Sequence, residues 1–112
     1  MDDKTQKALD LLKDKYLNSL SEKIEIIKSH IALKNLSGLQ QEFHKLKGSG
    51  KTYGFNNITL ISTRIDLLLK NKSPEALDYA SKSCTLFEKI INSHFNNESY
   101  DVHTDPLYKQ FI

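Results

Sequence analysis

His44 lies in the run Phe43-His44-Lys45-Leu46-Lys47-Gly48-Ser49-Gly50-Lys51-Thr52-Tyr53-Gly54-Phe55, whose residue types and offsets could carry chemistry. An imidazole with an ordinary pKa of about 6.5 is largely neutral at pH 7, so one ring nitrogen has a free lone pair and can attack phosphorus. Lys47, one helical turn along, can hold a compact positive charge beside phosphoryl oxygens, and Lys51 extends that positive surface by another turn. Gly48 leaves the space over the ring open to a partner. A glycine inside a helix costs roughly 1 kcal/mol relative to alanine, so one at this offset needs a packing or functional reason.

This chemistry requires a helix that turns the histidine to solvent. Leu36, Leu39, Phe43 and Leu46 recur at steps of three and four, the spacing of an apolar stripe, and Gly50 and Tyr53 continue it. At about 100° per residue, His44 falls roughly 130° from the centre of that stripe, with Ser37, Gln40, Gln41, Lys47, Gly48 and Lys51 on the same outward face. Gly48 and Gly50 weaken the helix in isolation, so neighbouring helices must hold it. Gln40, Gln41, Gly48 and Lys51 are the residues placed to meet a partner.

The run resembles the phosphohistidine motif of histidine-containing phosphotransfer (HPt) domains, H-x-[LIM]-K-G-[SAG]-[SAG]-x-x-x-G, from His44 to Gly54. With the order of the helices, the resemblance spans roughly residues 15 to 95. It implies that His44 is the phosphoacceptor, that Lys47 stabilises the phosphoryl group, that Gly48 lets a receiver domain approach and that Gly54 ends the phosphohelix. It also implies partners: receiver domains of response regulators and hybrid histidine kinases, whose aspartate exchanges the phosphoryl group with His44 and whose own Mg²⁺ serves the reaction. Two other readings are compatible with the same residues. One is a non-catalytic helical interaction module. The other is the stand-alone phosphoacceptor domain of a chemotaxis-type histidine kinase, which the Gly54-Phe55 ending also resembles.

The 112 residues suit one domain with a single modest core. A composition of 38% hydrophobic and 27% charged residues, with only two prolines and four glycines, is that of a soluble, mostly helical protein. A net charge of +2, with lysines interleaved among acids, gives no basis for binding nucleic acid. The single cysteine, Cys84, cannot form an internal disulfide, and the N-terminus is charged without a signal-like apolar core; a cytoplasmic monomer is expected. No stretch approaches the roughly eighteen apolar residues that a membrane span needs. His30, His94 and His103 show no zinc-like close spacing, so no metal site is expected. The chain has no Gly-rich loop between a strand and a helix and no paired acids at a metal spacing, so it is expected to carry phosphoryl groups without a cofactor or kinase activity of its own.

The positioning elements follow in order. Leu9, Leu12, Tyr16, Leu20, Ile24, Ile27 and Ile31 predict one amphipathic helix over residues 4 to 34, or two joined by a bend near Lys15 to Ser21. Asn35 is expected to cap the central helix, which Gly54 stops. Asn56-Asn57 is expected to cap a third helix carrying Ile58, Ile61, Ile65, Leu68 and Leu69, and Ser73-Pro74-Glu75 to start a fourth carrying Ala76, Ala80, Cys84, Phe87, Ile91 and His94. The prediction is an all-α, antiparallel four-helix bundle over residues 1–95 with an additional N-terminal helical segment, and an irregular tail over 96–112 that packs back in part through Tyr100, Val102, Leu107, Tyr108, Phe111 or Ile112. The predicted core is Leu20, Ile24, Ile27, Ile31, Leu39, Phe43, Leu46, Ile61, Ile65, Leu68, Ala80, Phe87 and Ile91.

Overall fold

Four apolar stripes joined by connections of three to five residues leave little choice but to fold back on one another, and the chain does so. The structure, a computed structural model, describes residues 2–111; Ile112 lies outside the described residues. Helices α1 (Asp3–Ala32), α2 (Leu36–Thr52), α3 (Asn56–Lys70) and α4 (Ala76–Phe95) pack in a ring in which each meets its neighbours in sequence and α4 closes on α1. The α2–α3 pairing is the most extensive. The expected all-α four-helix bundle is therefore the fold.

The core is built from the stripes. Leu17, Leu20, Ile24 and Ile27 of α1, Leu39, Phe43 and Leu46 of α2, Ile58, Ile61 and Ile65 of α3, and Ala80, Leu86 and Phe87 of α4 are buried. Ile31, Leu68 and Ile91, predicted to be central, pack at its edge and are only partly buried. Cys84 is buried as a small apolar side chain, and burial pushes its thiol up to about 11, which leaves it protonated and unreactive at neutral pH.

All four long helices end alike. Lys34, Gly54, Lys72 and Asn97 take left-handed φ values of 55°, 82°, 53° and 55° one residue beyond the C-cap. The next amide then bonds back to the last turn: Asn35 N–H to the His30 carbonyl, Phe55 to Gly50, Ser73 to Leu68 and Glu98 to Ser93. This is the Schellman closure, which satisfies carbonyls that a helix end otherwise leaves bare. Only one of the four uses glycine.

Two local expectations, the starts of the third and fourth helices, are corrected, and the first helix takes one of its two expected forms. The first helix is a single uninterrupted α1 without a break near Lys15 to Ser21, and its first three turns run past the bundle, leaving Leu9, Leu11 and Leu12 exposed. That overhang is the additional N-terminal segment, continuous with α1. The third helix is entered at Phe55, with no side-chain cap: Asn57 lies inside the helix and donates instead to the Tyr100 carbonyl. The fourth begins at Ala76 because Ser73 and Pro74 form a separate turn, in which the Ser73 hydroxyl accepts from the Glu75 amide. Asn35 does cap α2, accepting from Gly38 N–H at 3.0 Å.

The tail is more ordered than expected. It forms a 3₁₀ turn (Val102–Thr104) and a one-turn helix α5 (Pro106–Lys109), and buries Val102, Tyr108 and Phe111 against the bundle. Asp105 organises it. Its Oδ2 accepts from Lys89 Nζ at 2.9 Å and from the Tyr100 hydroxyl at 2.7 Å, while Oδ1 caps α5 by accepting from Leu107 N–H at 2.9 Å. Arg64 of α3 donates to the Phe111 carbonyl and fastens the end.

Candidate functional site

The stripe of α2 decides where its other face points. Leu39, Phe43, Leu46 and Gly50 are buried, with the Phe43 ring 6.3 Å from that of Phe87 on α4. His44 is consequently turned outward, its side chain 66% exposed. Lys47 lies one turn along on the same side, and among the described residues a Cβ added at Gly48 would meet no atom within 4 Å, so the helix surface is open at that point.

Beneath this face lies a carboxylate. Asp66 of α3 is buried, its side chain 2% exposed, and its Oδ2 stands 3.6 Å from His44 Nδ1, 3.6 Å from Lys47 Nζ and 3.1 Å from Lys70 Nζ. At 3.6 Å the His44 contact is an electrostatic one, longer than a hydrogen bond. The other oxygen, Oδ1, is buried and has no hydrogen-bond partner among the described residues. One carboxylate oxygen thus anchors an imidazole and two ammonium groups, which gathers positive charge around the exposed ring.

Gly50 sets how closely α3 approaches. A Cβ there would lie 2.7 Å from Thr59 Oγ1 and 3.0 Å from the Thr59 amide nitrogen, so only glycine lets the helices come this near. At that distance the Thr59 hydroxyl donates to the Lys47 carbonyl at 3.0 Å, bonding α3 to the turn that carries His44. At the end of α2, Tyr16 of α1 shares a 2.8 Å hydrogen bond with the Ser49 hydroxyl, and its ring stacks on Tyr53 at 4.7 Å and Phe55 at 5.7 Å. Burial raises the Tyr16 phenol above its ordinary value, so its hydroxyl stays protonated.

Of the residues singled out in the sequence, His44 and Lys47 are brought together over Asp66, and Gly48 lies beside them. Gln40 is half-buried in a shallow apolar groove with Leu36, Leu69 and Ala76, one turn before His44. Gln41 and Lys51 are exposed and, among the described residues, take no part in the ion cluster. The other histidines lie apart: His30 beside Asn35 at 3.2 Å, His94 against Asp14 at 2.7 Å, and His103 edge-on to Tyr108. Sequence reading missed Asp66, Lys70 and Thr59. Its one available signal was an acid set inside the α3 stripe of Ile58, Ile61, Ile65 and Leu69, with a lysine four residues on.

The Hpt domain family model matches residues 11–93. The chain belongs to that family. No curated protein and no solved structure gives a significant match. Hpt domains are phosphocarrier modules of phosphorelay signalling, without intrinsic kinase activity, and they interact with receiver domains. The matched span of the Hpt domain holds the whole His44 cluster and stops before the tail. Among the described residues, no helix is long and apolar enough to cross a membrane.

Proposed function

We propose that this Hpt domain is a cytoplasmic, monomeric phosphorelay intermediate that accepts a phosphoryl group on His44 from a receiver-domain aspartate and passes it to another. Family membership and the exposed imidazole above a buried carboxylate support the reading, and the second of these carries it. A neutral ring that directs its Nδ1–H toward Asp66 leaves the Nε2 lone pair facing solvent. Nε2 attacks the phosphorus of the aspartyl phosphate: an N–P bond forms, the P–O bond breaks and the aspartate leaves as a carboxylate. The proton stays on Nδ1, so the ring becomes a cation, and the 3.6 Å gap to Asp66 has every electrostatic reason to close. Lys47 meets the phosphoryl oxygens.

Gln40, Gln41, Gly48 and Lys51 form the ground on which the receiver domain of a response regulator or hybrid histidine kinase docks. The Hpt domain needs no cofactor; Mg²⁺ belongs to the receiver. The bond formed suits a reversible carrier, because a phosphoryl group on a cationic ring nitrogen leaves readily once an acceptor is in line.

The decisive experiment incubates the protein with a phosphorylated receiver. His44→Gln should remove all labelling while melting changes by less than about 0.5 kcal/mol, the usual range for an exposed polar exchange. Labelling that persists in the variant, or that maps to His30, His94 or His103, overturns the assignment. Direct labelling by a histidine kinase without a receiver would assign the chain to the chemotaxis-type role instead.

A further inference from the structure

We propose that Lys70 is a second phosphoryl-binding cation, held by Asp66 while His44 is bare and handed to the phosphoryl oxygens once His44 carries the group; this rests on the phosphoacceptor reading of His44. Lys70 stands outside the phosphohistidine run, on α3, and its Nζ is 3.1 Å from Asp66 Oδ2. The same oxygen lies 3.6 Å from Lys47 Nζ and from His44 Nδ1. Three nitrogens that close to one atom are necessarily neighbours of each other. Among the described residues, the charged or titratable groups that meet at this point are His44 and Lys47 from α2 and Asp66 and Lys70 from α3.

The charges at this point favour an exchange of partners. In the bare state one buried carboxylate faces two ammonium groups and a neutral ring. Phosphorylation at Nε2 makes the ring a cation and places a dianion on its far side. Asp66 then has a charged partner in Nδ1–H, directly opposite it, and no longer needs both lysines. Two ammonium groups match the two negative charges of the phosphoryl group, whereas Lys47 alone leaves one of them to solvent. Lys70 can make the move because its four-carbon stem is flexible and its side chain is about half exposed, at 47%. The rival role is an i,i+4 partner that merely steadies α3. The two roles differ in what the lysine does after phosphorylation.

Phosphoramidate supplies the test without any receiver, since it gives its phosphoryl group to an imidazole nitrogen as ammonia leaves. The full chain, labelled in this way, is titrated by ³¹P NMR through the last ionisation of the phosphoryl group on His44. A nearby ammonium favours the dianion, so Lys70→Gln should raise that pKa by roughly 0.5 to 1 unit relative to the parent. Lys70→Arg should restore it, and Lys47→Gln should raise it by a similar amount. A Lys70→Gln protein that titrates like the parent overturns the proposal and leaves Lys70 as a steadying partner of α3. If the parent itself takes no label on His44, it is the phosphoacceptor reading that has failed, and the proposal falls with it.

Discussion

Two buried aspartates, Asp66 under the His44 face and Asp105 in the tail, show how differently one residue type can be used. Asp105 is saturated: Lys89, Tyr100 and the Leu107 amide engage both its oxygens at 2.7 to 2.9 Å. Asp66 is not. One of its oxygens is shared among three nitrogens at 3.1 to 3.6 Å, and the other has no hydrogen-bond partner among the described residues. A group that holds structure together is satisfied in every direction, because an unmet buried polar atom costs free energy. A group kept loosely engaged can change partners, which is the property a transfer site uses.

The comparison breaks most clearly on a pair of matched variants. Asp66→Asn should slow transfer through His44 about ten- to a hundredfold, the scale of losing one positioned electrostatic partner. It should leave stability within about 1 kcal/mol of the parent, since the imidazole and the two ammonium groups it leaves behind are 40 to 66% exposed and stay hydrated, as partners in surface ion pairs do. Asp105→Asn should do the reverse. Loss of its charge-assisted bonds should cost about 2 kcal/mol, or roughly 10 °C in melting temperature for a domain of this size, with transfer unchanged. Burial pushes the Asp105 carboxyl up, but the bonds from Lys89, Tyr100 and Leu107 outweigh it and hold the group below its ordinary value of 3.8. Its contribution to stability is therefore complete above about pH 4 and lost as pH falls through the lowered folded value. The Asp105→Asn variant should lack that acid loss. Comparable effects of both substitutions on melting, or on transfer, would dissolve the distinction.

A second pair works within α2. A Cβ at Gly50 presses on the Thr59 backbone, so Gly50→Ala should cost about 1 to 2 kcal/mol even after the gain in helix propensity. A side chain at Gly48 meets open space. Gly48→Gln should therefore raise stability by several tenths of a kcal/mol, yet place bulk one turn from His44 and slow receiver transfer about tenfold. Calorimetry and a transfer assay on both variants decide it. A destabilised Gly48→Gln protein would make that glycine a packing residue like Gly50.

Much of this was legible in the sequence because the signals are local. The α2 stripe turned His44 outward, Asn35 and Gly54 marked the ends of that helix, and the four periodic runs required a bundle. Asp66 was not legible. Its burial follows from α3 lying close against α2, which depends on Gly50 and Thr59 meeting across two helices. The tail's bonds, though not its apolar residues, escaped for the same reason: Asp105 is bonded to Lys89, sixteen residues away, and Phe111 to Arg64, forty-seven away, and such partners have no periodic spacing. The starts of α3 and α4 were misplaced because Asn57 found a better acceptor in Tyr100 and Ser73 closed a turn of its own.

The smallest expected effect serves as the control for the others. Lys34 and Lys72 hold left-handed backbone after α1 and α3, a conformation that costs a residue with a Cβ more than it costs glycine. Lys34→Gly and Lys72→Gly should each stabilise the protein by about 0.5 to 1 kcal/mol, reduced somewhat by glycine's greater freedom when unfolded. Asn97→Gly should gain less, because asparagine tolerates this region already. None of the three lies in the His44 cluster or among the bonds of Asp105. The double variant Lys34→Gly, Asn97→Gly, which leaves Lys72 and the Gln40 groove it lines untouched, should melt a few degrees higher than the parent and exchange phosphoryl groups with a receiver at the parent's rate. Unchanged transfer in a stabilised protein means that the losses expected at Asp66 and Gly48 report on the site. A rate that rises or falls with melting temperature would mean instead that transfer follows overall stability, and the contrast between the two aspartates would lose its meaning.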